Sequence, residues 1–301
     1  MGSRLGPAAL RLAELVPTLQ ALVGDVRDLG DLAASVESSR TDGLRNFDPL
    51  LACLKELRTR TQAVLEAGRI PLILGGEHDL AIGSVGSALA VHDGDLALLW
   101  IDAHADANTP ATSTTGNLHG MPIAALQGLS SGVSGICDDQ WRSLCDQIVP
   151  SNRLRPELTS WFGLRDVDPG ERDLIRRTPG DLAISMHDID RQGVVAAVEK
   201  LDTWMRGSGA KKLWISFDVD VLDPILAPGT GTAVRGGLSY REGHLMAELL
   251  RERLDAADCP YSLAGVDLVE VNPLFDTNNE TAKMAVEWIG SLFGKTIMGV
   301  K

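Results

Sequence analysis

The sequence lacks any run of about eighteen apolar residues, so a membrane span is not expected. Residues 1–20 carry Arg4, Arg11 and Glu14 among their apolar positions and lack the uninterrupted stretch of a signal peptide. A cytoplasmic location is the default expectation. No C-x-x-C pair occurs: Cys53, Cys137, Cys145 and Cys259 are scattered, which excludes a zinc-thiolate site and suggests reduced, mostly buried thiols. There is no excess of basic charge. The net charge of −13 disfavours nucleic acid and anionic membranes as partners and eases approach of a cationic ligand, though acidity also simply keeps a protein soluble. No repeat or low-complexity segment is present. Neither a phosphate-cradling glycine loop nor clustered arginines accompany the polar motifs, which argues against a phosphatase.

Helical stretches alternate with short apolar runs. Apolar spacing predicts helices over 49–67, 81–92, 193–205, 240–256 and 280–292. Strands are predicted at 70–74, 96–101, 212–217 and 263–271. Strands apolar on both faces and separated by helices imply a parallel sheet covered on both sides. Sites in such folds lie at the carboxyl ends of the strands. The loops at 130–135 and 207–211 do not resemble domain linkers, so one domain over residues 1–301 is expected.

Three polar segments each follow an apolar run. They are Gly75-Gly76-Glu77-His78-Asp79, Asp102-Ala103-His104-Ala105-Asp106, and Asp218-Val219-Asp220 continuing to Asp223-Pro224. In an extended stretch alternate residues share a face, which would group Asp102, His104 and Asp106, and likewise Asp218 with Asp220. Crowded aspartates repel unless cations neutralise them. Four carboxylates and two imidazoles suit hard or borderline divalent metals, manganese above all. They suffice for two metals about 3.5–4 Å apart, whose bridging water becomes a nucleophile near neutral pH. Taken singly, a D-x-D is usually a solvated loop and a G-G-x-H a turn. Together, in register, they point to a metal centre.

The segments GGEHD, IDAHADANTP, GNLHG, RDVDPGE, SFDVDVLDP, GGLSYREG and VEVNP occur in the order found in arginases. The chain thus resembles the ureohydrolase family, which also includes agmatinase, guanidinobutyrase and formiminoglutamase. The resemblance runs from about Gly6 to the last helix. It implies a three-layer α/β/α sandwich with a central, mainly parallel sheet, and two Mn2+ ions, with Co2+ or Ni2+ as alternatives. It places His78, Asp102, Asp106 and Asp220 on one metal and Asp102, His104, Asp218 and Asp220 on the other, with Asp106 also orienting the bridging hydroxide. His119 matches the proton-shuttle histidine, and its ordinary pKa suits that role. Glu270 matches the glutamate that pairs with guanidinium. Asn108 and Thr115 match contacts to an α-carboxylate; Asp168 and Glu171 match recognition of the α-ammonium, directly or through water. Thr232 is expected to hydrogen-bond near the metals. Read alone, RDVDPGE is also a capped turn with Pro169 and Gly170 starting a helix.

The implied activity is cleavage of L-arginine to L-ornithine and urea. Another guanidine, such as agmatine or guanidinobutyrate, is the nearest alternative substrate type, and a non-catalytic paralogue the alternative class. Agmatine would leave Asn108 and Thr115 unpaired, which favours arginine. The resemblance also implies a homo-oligomer, trimer or hexamer, with Arg241 and Glu242 at subunit contacts. The sequence departs from the arginase pattern in three ways. The chain begins near Gly6-Pro7, so the usual first strand is expected to be absent and a sheet edge exposed. Glu77 and Asp79 stand where aspartate and serine are usual, beside His78. Val221 and Ala233 stand where glycine and proline are usual.

Overall fold

The computed structural model describes residues 2–32 and 43–298. In chain order the elements are α1 (Gly6–Leu12), α2 (Leu15–Val23), α3 (Phe47–Glu66), β1 (Leu72–Leu74), α4 (Ala81–Val91), β2 (Ala97–Ile101), α5 (Pro122–Gln127) and α6 (Ile136–Ile148). They continue as β3 (Thr159–Leu164), α7 (Pro169–Arg177), β4 (Leu182–Ser185), α8 (Met186–Ser208), β5 (Lys212–Asp218), α9 (Tyr240–Asp255), β6 (Ser262–Val269) and α10 (Glu280–Leu292).

The strands form one sheet in the order β1-β6-β5-β2-β3-β4, and every pairing is parallel. Side chains alternate across it, as the pleat requires. Leu99, Ile101, Ile215, Phe217 and Leu268 pack on one face with residues of α1, α2, α8, α9 and α10. Leu98, Trp100, Trp161 and Trp214 pack on the other with α4 and α5. The result is the expected α/β/α sandwich. From β2 the chain proceeds outward through β3 and β4, then returns to place β5 and β6 on the opposite side of β2. That reversal opens a crevice beyond the carboxyl ends of β2 and β5, where parallel sheets bind ligands. Because Ile101 pairs with Phe217, the residues that follow, Asp102 and Asp218, emerge side by side.

Local chemistry explains most boundaries. Gly68, at φ +71°, follows the end of α3. Ser239 and Glu242 form a reciprocal cap on α9, which gives Glu242 a structural role there. Asp168 and Glu171 do the same for α7, with Pro169 in its first turn. Two expectations are corrected. The helix expected from 193 begins at Met186, under a Ser185–Asp188 capping box, and bends at Gly193 (φ 78°, ψ 159°). The strand expected at 70–74 covers only Leu72–Leu74, at the edge of the sheet beside β6. All four cysteines are free, but only Cys145 is fully buried. Among the described residues, no helix is long and apolar enough to cross a membrane.

Candidate metal centre and substrate cleft

All six expected ligands lie at the carboxyl ends of strands. Two trios of donor atoms come together: His78, Asp102 and Asp218, and then Asp102, His104 and Asp220. Asp102 is common to both. His78 Nδ1 faces Asp102 Oδ2 at 3.0 Å, Asp106 Oδ2 at 3.2 Å and Asp218 Oδ2 at 3.3 Å. His104 Nδ1 faces Asp220 Oδ2 at 3.1 Å and Asp102 Oδ1 at 3.3 Å. The structure therefore places Asp218 on the His78 side and Asp220 on the His104 side, unlike the apportionment drawn from the resemblance. The reason is local: Asp218 ends β5, whereas Asp220 lies in the helical turn beyond it.

Strand alternation is not what gathers these groups. The backbone leaves β2 at Ile101, and Asp106 takes a left-handed φ of +48°. Asp218 Oδ1 accepts from the Asp220 amide at 2.8 Å, so a tight turn sets their spacing. Left-handed geometry at a non-glycine residue is a strained arrangement typical of functional loops. Glu270, at φ +63°, shares it.

The donor chemistry fits divalent cations. His78 Nε2 contacts Ser216 Oγ at 2.9 Å, and Ser216 donates to Asp267 at 3.1 Å, which leaves Nδ1 as the atom able to hold a cation. Nδ1 is buried without a hydrogen-bond partner although three carboxylate oxygens face it. The ring stacks on Trp100 at 3.7 Å, and the Trp100 indole N–H donates to Asp102 Oδ2 at 3.0 Å. Electrostatics point the same way. Burial, then the charges of Asp220 and Asp102, push Asp218 well above the usual carboxylate range. Burial and Asp102 raise Asp106, and they lift Asp220 to about 6. Burial alone would lower His104, but Asp102 and Asp220 overcome it and hold the ring near 12. His78 is raised well above its ordinary value by its three aspartates, against the same burial. Carboxyls and imidazoles raised together mark a cluster that draws positive charge.

A cleft rises above these groups, and its walls include Asn108, Ser113, Thr114, Thr115, His119, Asp166, Asp168, Glu171, Thr232 and Glu270. His119 Nδ1 lies 3.5 Å from Glu270 Oε1 and 3.9 Å from Glu77 Oε2, and its Nε2 is 3.4 Å from the Asn117 amide nitrogen. Burial would lower this imidazole, but Glu270 outweighs it and the pKa rises to about 9. Glu270 Oε1 also accepts from the His78 amide at 2.9 Å, which ties it to the metal centre. Thr232 donates to Asp220 Oδ2 at 2.8 Å, as expected.

Asn108 donates to Asp168 Oδ2 at 2.9 Å and accepts from Thr112 at 2.8 Å. Both Glu171 oxygens are taken by backbone amides, of Ala107 and of Asp168, each at 2.9 Å. Glu171 therefore holds the β2 loop against α7 and is committed to that task; its burial raises its pKa to about 7. Sequence reasoning passed over Ser113, Thr114 and Asp166 as lining residues. It also passed over Arg165, whose half-buried guanidinium donates to the carbonyls of Asp220, Val221 and Val234 and fixes the ligand-bearing loop. Asp79, beside His78, is raised to about 7 by burial and then by Glu77. Val221 fits because it packs on Gly163, whose φ of +101° and missing side chain leave room.

Comparisons with known proteins agree with this geometry. Residues 1–294 match the model of the Arginase family. An arginase from Staphylococcus aureus (strain MRSA252) is 40% identical over 303 residues, covering 99% of this chain and 93% of its own. The crystal structure of arginase from Bacillus subtilis superposes with a TM-score of 0.86 at 36% identity, covering 98% of this chain and 93% of its own. That of Bacillus caldovelox arginase gives 0.86 at 35%, covering 99% and 94%. The protein belongs to the arginase family.

Proposed function

We propose that the protein hydrolyses the guanidinium group of L-arginine to give L-ornithine and urea. The observation that carries this reading is the pairing of two donor trios sharing Asp102 with a His119–Glu270 contact in the cleft directly above them. His78, Asp102, Asp106 and Asp218 would hold one divalent cation, and Asp102, His104 and Asp220 the other. Bound there, the cations would supply Lewis-acid chemistry and lower the pKa of water toward neutrality. Manganese suits four carboxylates and two imidazoles best, with cobalt or nickel as substitutes.

The remaining work falls to protein side chains. Glu270 can accept paired hydrogen bonds from the planar guanidinium and fix it over the metal centre. His119, raised to about 9 by Glu270, keeps a proton at neutral pH and can deliver it to the departing amine. Asn108 and Thr115 would contact the α-carboxylate, and Asp168 the α-ammonium. The Asn108–Asp168 hydrogen bond fixes these two groups relative to one another before substrate arrives. Glu171 supports both by holding the loop.

The proposal extends to a single domain, a homo-oligomer, trimer or hexamer, and a cytoplasmic setting, since four free thiols suit a reducing compartment. The test is urea release by manganese-loaded protein from L-arginine, agmatine and guanidinobutyrate at matched concentrations. Arginine is expected to be strongly preferred. Preference for either carboxylate-free or amine-free guanidine would overturn the substrate assignment.

A further inference from the structure

We propose that Arg45 is a specificity-determining residue that draws in the carboxylate end of the substrate, an inference that rests on the arginine reading above. Apart from the residues assigned to the cations, the cleft wall carries Asp166, Asp168, Glu171 and Glu270, and no lysine or arginine. Such a wall attracts a guanidinium but repels a carboxylate at the other end of the same molecule. The neutral groups assigned to that end bring no positive charge to it and are each partly engaged. The Asn108 amide donates to Asp168, and the Thr115 hydroxyl accepts from the Asn117 amide at 3.2 Å. A cation on the adjoining loop would offset the repulsion, and Arg45, whose guanidinium reaches Asn117, supplies it.

Its position is well fixed. Leu44 and Phe47, on either side, are buried. The Leu44 amide donates to Gln140 Oε1 at 2.7 Å, and the Arg45 amide contacts the Gly116 carbonyl at 3.4 Å. The Arg45 guanidinium Nη1 donates to Asn117 Oδ1 at 3.4 Å. Asn117 in turn lies 3.4 Å from His119 Nε2 and is separated from the Ser113–Thr115 stretch of the wall by Gly116 alone. Among the described residues, this long contact is the one side-chain hydrogen bond Arg45 makes. An exposed guanidinium held so weakly is free to exchange Asn117 for a carboxylate, which its planar fork can grip through two hydrogen bonds.

The experiment compares L-arginine with agmatine, which lacks only the carboxylate. The kcat/KM for each is measured by urea release in manganese-loaded wild type, Arg45→Gln and Arg45→Lys. Glutamine keeps a hydrogen-bond donor toward Asn117 but removes the charge. The arginine-to-agmatine ratio is expected to fall about five- to tenfold in Arg45→Gln, through KM for arginine rather than kcat, while Arg45→Lys keeps most of it. Raising salt from about 20 to about 500 mM is expected to raise KM for arginine more in wild type than in Arg45→Gln. An unchanged ratio in Arg45→Gln, or an equal loss with both substrates, would overturn the inference, the second result marking Arg45 as a loop support only. A wild-type protein that itself prefers agmatine would overturn the arginine reading and this role with it, and the wild-type ratio alone separates that failure from the other.

Discussion

Removing the metals changes the pH dependence of stability. In the metal-free protein Asp220 is raised from 3.8 to about 6, first by burial and then by Asp102. Two pKa units correspond to about 3 kcal/mol. A carboxyl raised in the folded state stabilises the fold below its unfolded pKa, and that contribution is lost as pH rises through the folded value. Between pH 5 and pH 8, Asp220 alone therefore loses on the order of 1 kcal/mol. Asp106, Asp218, His78 and His104 are all raised and act with the same sign. With cations bound, the same ligands are needed ionised or neutral, so acid competes with metal and stability falls toward pH 5. Asp267, Asp79 and Glu171 are raised as well, but they are present in both forms and cancel in the difference. At about 2 °C per kcal/mol for a chain of this size, the chelated protein should melt about 2 °C or more higher at pH 5 than at pH 8. In the manganese-loaded protein that advantage at pH 5 should shrink or change sign, because acid competes with metal for the ligands. The assay is thermal unfolding at both pH values with EDTA or with manganese. Parallel pH dependences in the two forms would refute the reasoning.

Other outcomes follow from the same geometry. His119→Ala should lower kcat roughly ten- to hundredfold with metal content intact, as measured by urea release beside elemental analysis; the modest size reflects a cleft that lets water carry part of the proton transfer. Asp106→Ala should instead lower bound metal, and equal metal loss in both variants would contradict these roles. Trp100→Ala removes a fully buried indole that stacks on His78 and donates to Asp102. It should cost about 3–5 kcal/mol in denaturant unfolding, and a loss below about 1 kcal/mol would mean the site does not depend on it.

Much of the fold was legible because burial on both faces leaves a plain mark. Leu96–Ile101 and Lys212–Phe217 read as strands, and Glu280–Leu292 as a helix, close to their observed bounds. β3 was not read, since Thr159, Ser160 and Gly163 break its apolar run; Ser160 is buried because it donates to the Leu98 carbonyl. The start of α8 was hidden behind Gly193, which interrupts the periodicity while the chain remains helical on both sides. In the site, the ligand types and their order were legible, but their grouping was not. It depends on the left-handed turn at Asp106 and the tight turn at Asp218–Asp220, neither of which has a mark in residue spacing. The hold of Glu171 on the Ala107 amide and the approach of Arg45 to Asn117 bridge residues more than sixty positions apart, and only the folded chain brings them together.

The central claim is that two cations, held by trios that share Asp102, are both needed for arginine hydrolysis. The most direct measurement is urea release from L-arginine by chelated protein as manganese is returned stepwise. Activity should be absent without metal and should plateau at about two equivalents per chain. Activity that survives chelation, or a plateau at one equivalent, would contradict the account.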